Sequence, residues 1–218
     1  MGIRQRKIEA DYLKVGDEFE FLGTGWTGID EKPNSQVTEK RYINDASSSQ
    51  SITSYKWQAD FTGDQIQSDK AIEYITTIGK ELKTGADAET FYVKVDLDKP
   101  AANDAGFYAR KFKVAIQVSE FPNNDGELGL SGSFLGLGDP VIGTFDTSTK
   151  TFVEGFDEKT LEFEYTATDA VSEISVTGIT YDSSANKFKN IPVGTTSFTF
   201  KDGTTKKTAT VKDSWSVA

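Results

Sequence analysis

LGTGWTGIDEKPN, residues 22–34, carries Gly23, Gly25 and Gly28 at the spacing of a dinucleotide cradle, G-x-G-x-x-G. Such a cradle needs a buried strand before the glycines and a helix that opens within them. Phe19-Glu20-Phe21-Leu22 satisfies the first requirement. Trp26 to Lys32 fails the second, because it has no apolar stripe and runs into Pro33, which blocks helix continuation. No Gly-Lys-Ser/Thr follows, so a phosphate loop is absent as well. The glycines are therefore read as conformational, letting the chain turn and neighbouring backbone approach closely.

Outward from that stretch the dominant period is two. Phe19 and Phe21 alternate with polar residues, as do Tyr55, Trp57, Ala59 and Phe61. The pattern recurs at Phe91, Val93, Val95 and Leu97, at Phe112, Val114, Ile116 and Val118, and from Leu128 through Leu130 and Gly132 to Phe134. Each run reads as a strand with one apolar and one polar face. Turn signals separate them at Lys99-Pro100, at residues 122–126 and at residues 138–140. One segment departs: Ile72, Ile75, Ile78 and Leu82 predict a single amphipathic helix, capped by Ser68 or Asp69 and ended by Gly85. Gly79 lies inside it at a cost of about 1 kcal/mol relative to Ala.

The segments QVTEKRYI and SYKWQADF read as strands joined by a Ser-rich loop, from about Asn44 to Ser54. That loop is either a solvated tip or a segment ordered by a partner. Beyond Gly155 come short, evenly spaced strands: LEFEY, SEISVTGITY, NKFKNIPVG, TSFTF and TKKTATV, with Asp202-Gly203 as a hairpin signal. The expected fold is mainly β, an α+β arrangement with a β-sandwich over 1–155 flanked by one helix. Residues 156–218 form either a small separate β-sandwich or an extension of the first domain.

Composition narrows the chemistry. The 218 residues contain no His and no Cys, which removes imidazole bases, thiol nucleophiles and Cys/His zinc sites. Net charge is −10, so the surface repels nucleic-acid phosphates. No apolar run is long enough to span a bilayer, and MGIRQRKIEADYLKVG lacks the apolar core of an export signal. Arg6 stands where a myristoylation motif needs Ser or Thr. Neighbouring acids such as Asp17-Glu18 read as solubilising charge, and Asn123-Asn124-Asp125-Gly126-Glu127 as a tight turn rather than a calcium loop. No catalytic, metal or cofactor site is expected. Trp26, Trp57 and Trp215 suggest a sugar-stacking platform as an alternative, with Trp57 assigned to the core. Arg4, Arg6 and Lys7 form either a frayed end or an arm that docks on an acidic neighbour.

The run GTGWTGIDEKPNSQVTEKRYIND, with Gly25-Trp26, Glu31, Pro33, Lys40 and Tyr42-Ile43-Asn44, resembles the major tail proteins of long non-contractile-tailed phages. SITSYKWQADFTGDQI, IEYITTIGKEL, KFKVAIQVSEF and GDPVIGTFDTSTKTF continue the likeness in order over roughly residues 1–155. The last sixty or so residues, with Phe188-Lys189-Asn190-Ile191-Pro192-Val193-Gly194, resemble immunoglobulin-like modules that some tail proteins append.

The resemblance implies a non-enzymatic structural virion protein. Hexameric rings stack into a tail tube, inner strands join edge to edge, and DNA passes through an acidic conduit without specific binding. It implies self-contacts and contacts with a tape measure and other tail proteins, no membrane insertion, assembly in the host cytoplasm and residence in the virion tail. The inter-subunit residues it points to are Arg4, Arg6, Trp26, Asn44, Ala46, Ser47, Ser48, Ser49 and Gln50, and the tube-wall strands carry Glu39, Lys40, Tyr42, Tyr55 and Trp57. The rivals are a carbohydrate-binding or surface-adhesion β-sandwich and a carboxylate-dependent hydrolase.

Overall fold

The structure is a computed structural model that describes residues 3–102, 105–211 and 215–217, with side chains up to residue 210. It is mainly β and divides into two compact units: Met1–Asp98 with Gly106–Phe156, and Lys99–Ala105 with Asp157–Ala218.

The first unit contains β1 (Glu9–Val15), β2 (Glu18–Phe21), β3 (Trp26–Lys32), β4 (Ser35–Lys40), β5 (Ser49–Tyr55) and β6 (Gln58–Asp64). Helix α1 (Lys70–Lys80) follows, then β7 (Glu89–Pro100), β8 (Phe107–Glu120), β9 (Asn123–Asn124), β10 (Glu127–Gly136), β11 (Val141–Asp146) and β12 (Thr151–Glu154). The main sheet runs β2-β1-β7-β8-β10-β6-β3. It curls, so that β1 and β3 line opposite sides of one cleft of about 360 Å³. Inside the curl sit Leu13, Ile29, Phe61, Tyr92, Phe112, Leu130 and Phe134, closed over by Ile72, Ile75 and Ile78 of α1. β8 pairs with β10 along its C-terminal half and with β11 along its N-terminal half. The second partnership covers the other face of the sheet, where Ala10, Tyr12, Val93, Val95, Ala109 and Phe145 form a separate core.

That second core corrects the one-sided reading of β7. Tyr92, Val93, Lys94, Val95 and Asp96 are all buried, so both faces of the strand are covered. Conversely, Phe91 and Leu128, expected on apolar faces, are exposed. The cradle reading fails in the structure as the sequence requires: Gly25 turns at φ +85 and the chain continues into β3, not a helix.

The helix begins where expected, with the Asp69 carboxylate accepting from Ile72 N at 2.9 Å. Gly79 admits close packing on β8 and its exit, since a Cβ there would stand 2.8 Å from both Phe121 and Val118. Its end differs from expectation. Leu82 lies outside the helix at φ 55, and Lys83 N reaches back to Ile78 O at 3.0 Å while Leu82 N reaches Gly79 O at 3.4 Å. This is a Schellman closure with leucine at the left-handed position usually held by glycine. Leu82 is 82% exposed, and Gly85 lies beyond the closure, in the short turn that follows. Leu82→Gly is expected to raise stability by about 1 kcal/mol, because a left-handed side chain is strained where glycine is not; an unchanged or lower denaturation midpoint overturns this.

The second unit contains β13 (Thr160–Glu164), β14 (Val171–Ser172), β15 (Thr180–Asp182), β16 (Lys187–Pro192), β17 (Ser197–Asp202), β18 (Thr205–Val211) and β19 (Trp215–Val217). Its antiparallel sheets, β13-β16-β15 and β14-β17-β18-β19, enclose Phe163, Ile179, Phe188, Ile191, Phe198, Phe200 and Ala209. SEISVTGITY is not one strand: residues 173–179 leave the ladder between β14 and β15. The β17–β18 hairpin turns on Gly203-Thr204, with Gly203 at φ 62. Beside it Asp202 accepts from Tyr165 Oη at 2.6 Å, from the amides of Thr168 and Asp169, and from Lys207 Nζ at 3.1 Å. These donors hold its carboxyl far below the ordinary value, Tyr165 foremost.

Two turns, one in each unit, share a design. Asp146 and Asp182 each accept from the hydroxyl and amide of the serine two residues on, and the turns close with Lys150 and Asn186 at φ 53 and 51. Led by the Ser148 hydroxyl, these donors pull the Asp146 carboxyl down to about 2. A depressed folded value stabilises the turn fully above the ordinary carboxylate range and is lost as pH falls through the folded value. The Asp146 carboxyl should therefore titrate by NMR near the folded value, with the Ser148 amide following it; a midpoint at the ordinary aspartate value sinks this.

Candidate interaction surface

β4 and β5 make a two-stranded sheet of their own, continuing the β3–β6 pair outward. The expected long loop from Asn44 to Ser54 is thereby corrected: Ser49–Tyr55 is strand, and only residues 41–48 remain as the connection. A Ser- and Thr-rich segment forms a ladder here because β4 supplies the complementary backbone row. Inside the connection, Tyr42 N donates to Asp45 Oδ2 at 3.3 Å and Arg41 Nε to Asp45 O at 3.2 Å, while Ser48 Oγ bonds Glu39. Ile43 is fully exposed and Tyr42 is 67% exposed.

Cross-strand partners share a face, and successive residues alternate except at the bulge opposite Gln36 and Val37, where β5 carries the extra residue Thr53. Pairing Ser35 with Tyr55, Val37 with Ile52 and Glu39 with Gln50 gives one face. Gln36 with Ser54, Thr38 with Ser51 and Lys40 with Ser49 gives the other. The first carries Val37, Ile52 and Tyr55; the second carries only hydroxyls, amides and one lysine. Every residue of β5 and all of β4 except Gln36 are exposed. An isolated two-stranded ribbon is marginal in water, so its apolar face is a surface in want of cover.

The ribbon leaves the main sheet at a joint. Asn34, at φ 48, donates from Nδ2 to Lys56 O, and Lys56 N donates back to Asn34 O. Trp57 lies at the joint, outside any strand, so the expected unbroken alternation from Tyr55 to Phe61 is interrupted there. Its ring stacks on Phe112 at 3.8 Å and its Nε1 donates to Glu31 Oε1 at 2.6 Å. Arg110 grips the same carboxylate with two bonds, at 2.7 and 2.9 Å. Burial works against ionisation of Glu31, but Arg110 and Trp57 hold its carboxyl below the ordinary value.

The structure gathers Glu39, Lys40, Tyr42, Asn44, Ala46, Ser47, Ser48, Ser49, Gln50 and Tyr55 on the ribbon and puts Trp57 at its root. Trp26 lies apart, at the start of β3 in the cleft, packed edge-on to Phe61 at 5.7 Å. Its buried Nε1 has no hydrogen-bond partner among the described residues. Arg4 and Arg6 also lie apart and spend their charge within the subunit. Arg4 reaches Asp96 at 3.0 Å and Asp98 at 3.1 Å, and Arg6 pairs with Asp11. Val37, Ile52, Glu31 and Arg110 were not singled out from the sequence as site residues; the alternation of Val37 and Ile52 with hydroxyl residues was the available signal. The side chain of Trp215 lies outside the described residues. Among the described residues no group of three acidic side chains is placed to hold a metal ion, and no helix is long and apolar enough to cross a membrane.

No protein-family model and no curated protein matches this chain. Among solved structures, one similar chain is described as the tail of an empty GTA particle, computed with helical refinement in C6 symmetry. It is 10% identical, with a TM-score of 0.42, over 66% of this chain and 100% of that one.

Proposed function

We propose that this chain is a structural, non-enzymatic tail protein that assembles with copies of itself into stacked six-membered rings forming a tube. The observation that carries the reading is the β4–β5 ribbon, a strand pair with an uncovered apolar face of Val37, Ile52 and Tyr55. A second copy covers that face at no cost in new chemistry, and closed rings use strand edges that would otherwise promote aggregation. The order of tail-protein-like segments over residues 1–155 supports the same assignment.

In this reading the first unit is the tube domain and the C-terminal unit, including its immunoglobulin-like likeness, is an appended module. At −10 per subunit, a ring of six carries about sixty negative charges before counterions, a wall that repels DNA and lets it slide. The tape measure and other tail proteins are the remaining partners, the virion tail is the location, and assembly takes place in the host cytoplasm. Of the candidate sugar platforms, Trp26 packs edge-on to Phe61 with its Nε1 buried, which disfavours the carbohydrate reading.

Negative-stain microscopy of the concentrated protein, alone and with a tail initiator complex, should show rings or tubes of one bore. Persistent monomer under both conditions overturns the assignment.

A further inference from the structure

Two chain crossings, residues 33–34 and 56–57, connect the ribbon to the sheet. The Asn34–Lys56 bonds tie those crossings to each other but not to the body of the subunit. Trp57 supplies the missing attachment, in three directions. Its carbonyl accepts from Gly136 N of β10 at 2.9 Å, its ring lies on Phe112 of β8, and its Nε1 reaches Glu31 of β3. A Cβ on Gly136 would stand 3.0 Å from the Trp57 carbonyl and 3.2 Å from the ring, so β10 is pared back where the indole packs. Glu31 lies two residues before Pro33, on the strand that feeds the opposite crossing. The Glu31–Trp57 bond therefore spans both roots of the ribbon, and the fork of Arg110 holds Glu31 in place from β8.

We propose that Glu31, Trp57 and Arg110 form a latch that fixes the direction in which the ribbon leaves the subunit before any second copy arrives. A ribbon aimed in advance loses less freedom on docking, so the latch governs how fast copies join. That consequence for assembly rests on the self-assembly reading above; the latch itself does not.

The chain has no cysteine, so Ala46→Cys in the ribbon connection and Lys80→Cys at the end of α1 accept spin labels at those two positions alone. Pulsed electron resonance on the parent should give one narrow distance distribution. Trp57→Phe keeps the stack and loses the hydrogen bond. Glu31→Gln keeps an acceptor for Trp57 and loses the charge, and Arg110→Lys keeps the charge and loses the fork. Each should widen the distribution about twofold with the cooperative unfolding transition retained, and lengthen the assembly half-time about tenfold. Distributions as narrow as the parent's in all three variants overturn the latch, whatever assembly does. Wide distributions in the variants of a parent that never assembles uphold the latch and overturn the tail-tube reading.

Discussion

Replacing Val37 and Ile52 together with Ser abolishes assembly and leaves the unfolding transition of the subunit where it was. The two side chains are 56% and 57% exposed, so the isolated fold gains little from them. Covering the exposed half of each with a second copy contributes about 1–1.5 kcal/mol. Together that is about 2–3 kcal/mol per contact, or roughly one to two decades in the association constant, repeated at every contact of a ring. Thr38→Ser with Ser51→Ala, on the hydroxyl face of the same ribbon, is the control and should assemble as the parent does. Sedimentation velocity with negative-stain counting reads both variants. Equal yields of assembled particles from the parent and the Val37/Ile52 variant would show that this face is not the contact.

Asp11→Ala has the largest expected effect on the fold. Asp11 is 1% exposed on β1 and meets Arg6, the Tyr92 hydroxyl and Lys94 Nζ, the last at 3.5 Å. Lys94 is itself 4% exposed and loses one of its carboxylate partners, keeping Glu9 at 3.0 Å, once the Asp11 carboxylate is gone. Removing one member of a buried ion cluster costs about 3–5 kcal/mol, because the remaining charge stays desolvated without its partner. The Tyr92 hydroxyl, whose pKa burial and the Asp11 carboxylate push well above its ordinary value, is left unpaired as well. The loss is a large part of the 5–15 kcal/mol that holds a typical domain together. Urea unfolding followed by tryptophan fluorescence should show a lower midpoint at unchanged slope. Asp11→Leu with Lys94→Met should recover most of it, since apolar residues of similar size carry no desolvation cost. A loss below about 1 kcal/mol for Asp11→Ala would mean the cluster is wetter than its burial implies.

The sequence made the half-buried strands legible because their period survives in the letters. Phe112, Val114 and Ile116 point inward and the residues between them do not. β7 was misread for a physical reason: Lys94 and Asp96 look like a solvent face, and their partners Glu9, Asp11 and Arg4 lie on a segment more than eighty residues away. The helix stripe was legible, but Leu82 extended it because an apolar letter does not reveal a left-handed backbone. β4 is legible as a strand, whereas residues 49–54 of β5 read as loop because serine disfavours strands in isolation, and pairing across to β4 outweighs that preference. Trp57 reads from the sequence as a core residue. Its grip on Glu31 and Arg110 is not legible there, since the bonds to Glu31 join residues 26 and 79 positions apart. Whether the ribbon's apolar face meets another copy is a property of a surface, and only the Val37 and Ile52 spacing hinted at it.

The segment Lys99–Ala105, which begins with the last two residues of β7, groups with the C-terminal unit: Ala101 bridges Glu158, Ala102 N reaches Asp157 O, and Lys159 N reaches Pro100 O. On the ribosome those partners emerge about sixty residues later. At about 5–20 residues per second, residues 100–102 wait roughly 3–12 s without those partners, while β7 and β8 can already pair. The C-terminal unit thus has its first piece made in the middle of the chain and its last at the end. Translation pauses between residues 106 and 157 would prolong that exposure, whereas a chain terminated near residue 156 would never end it.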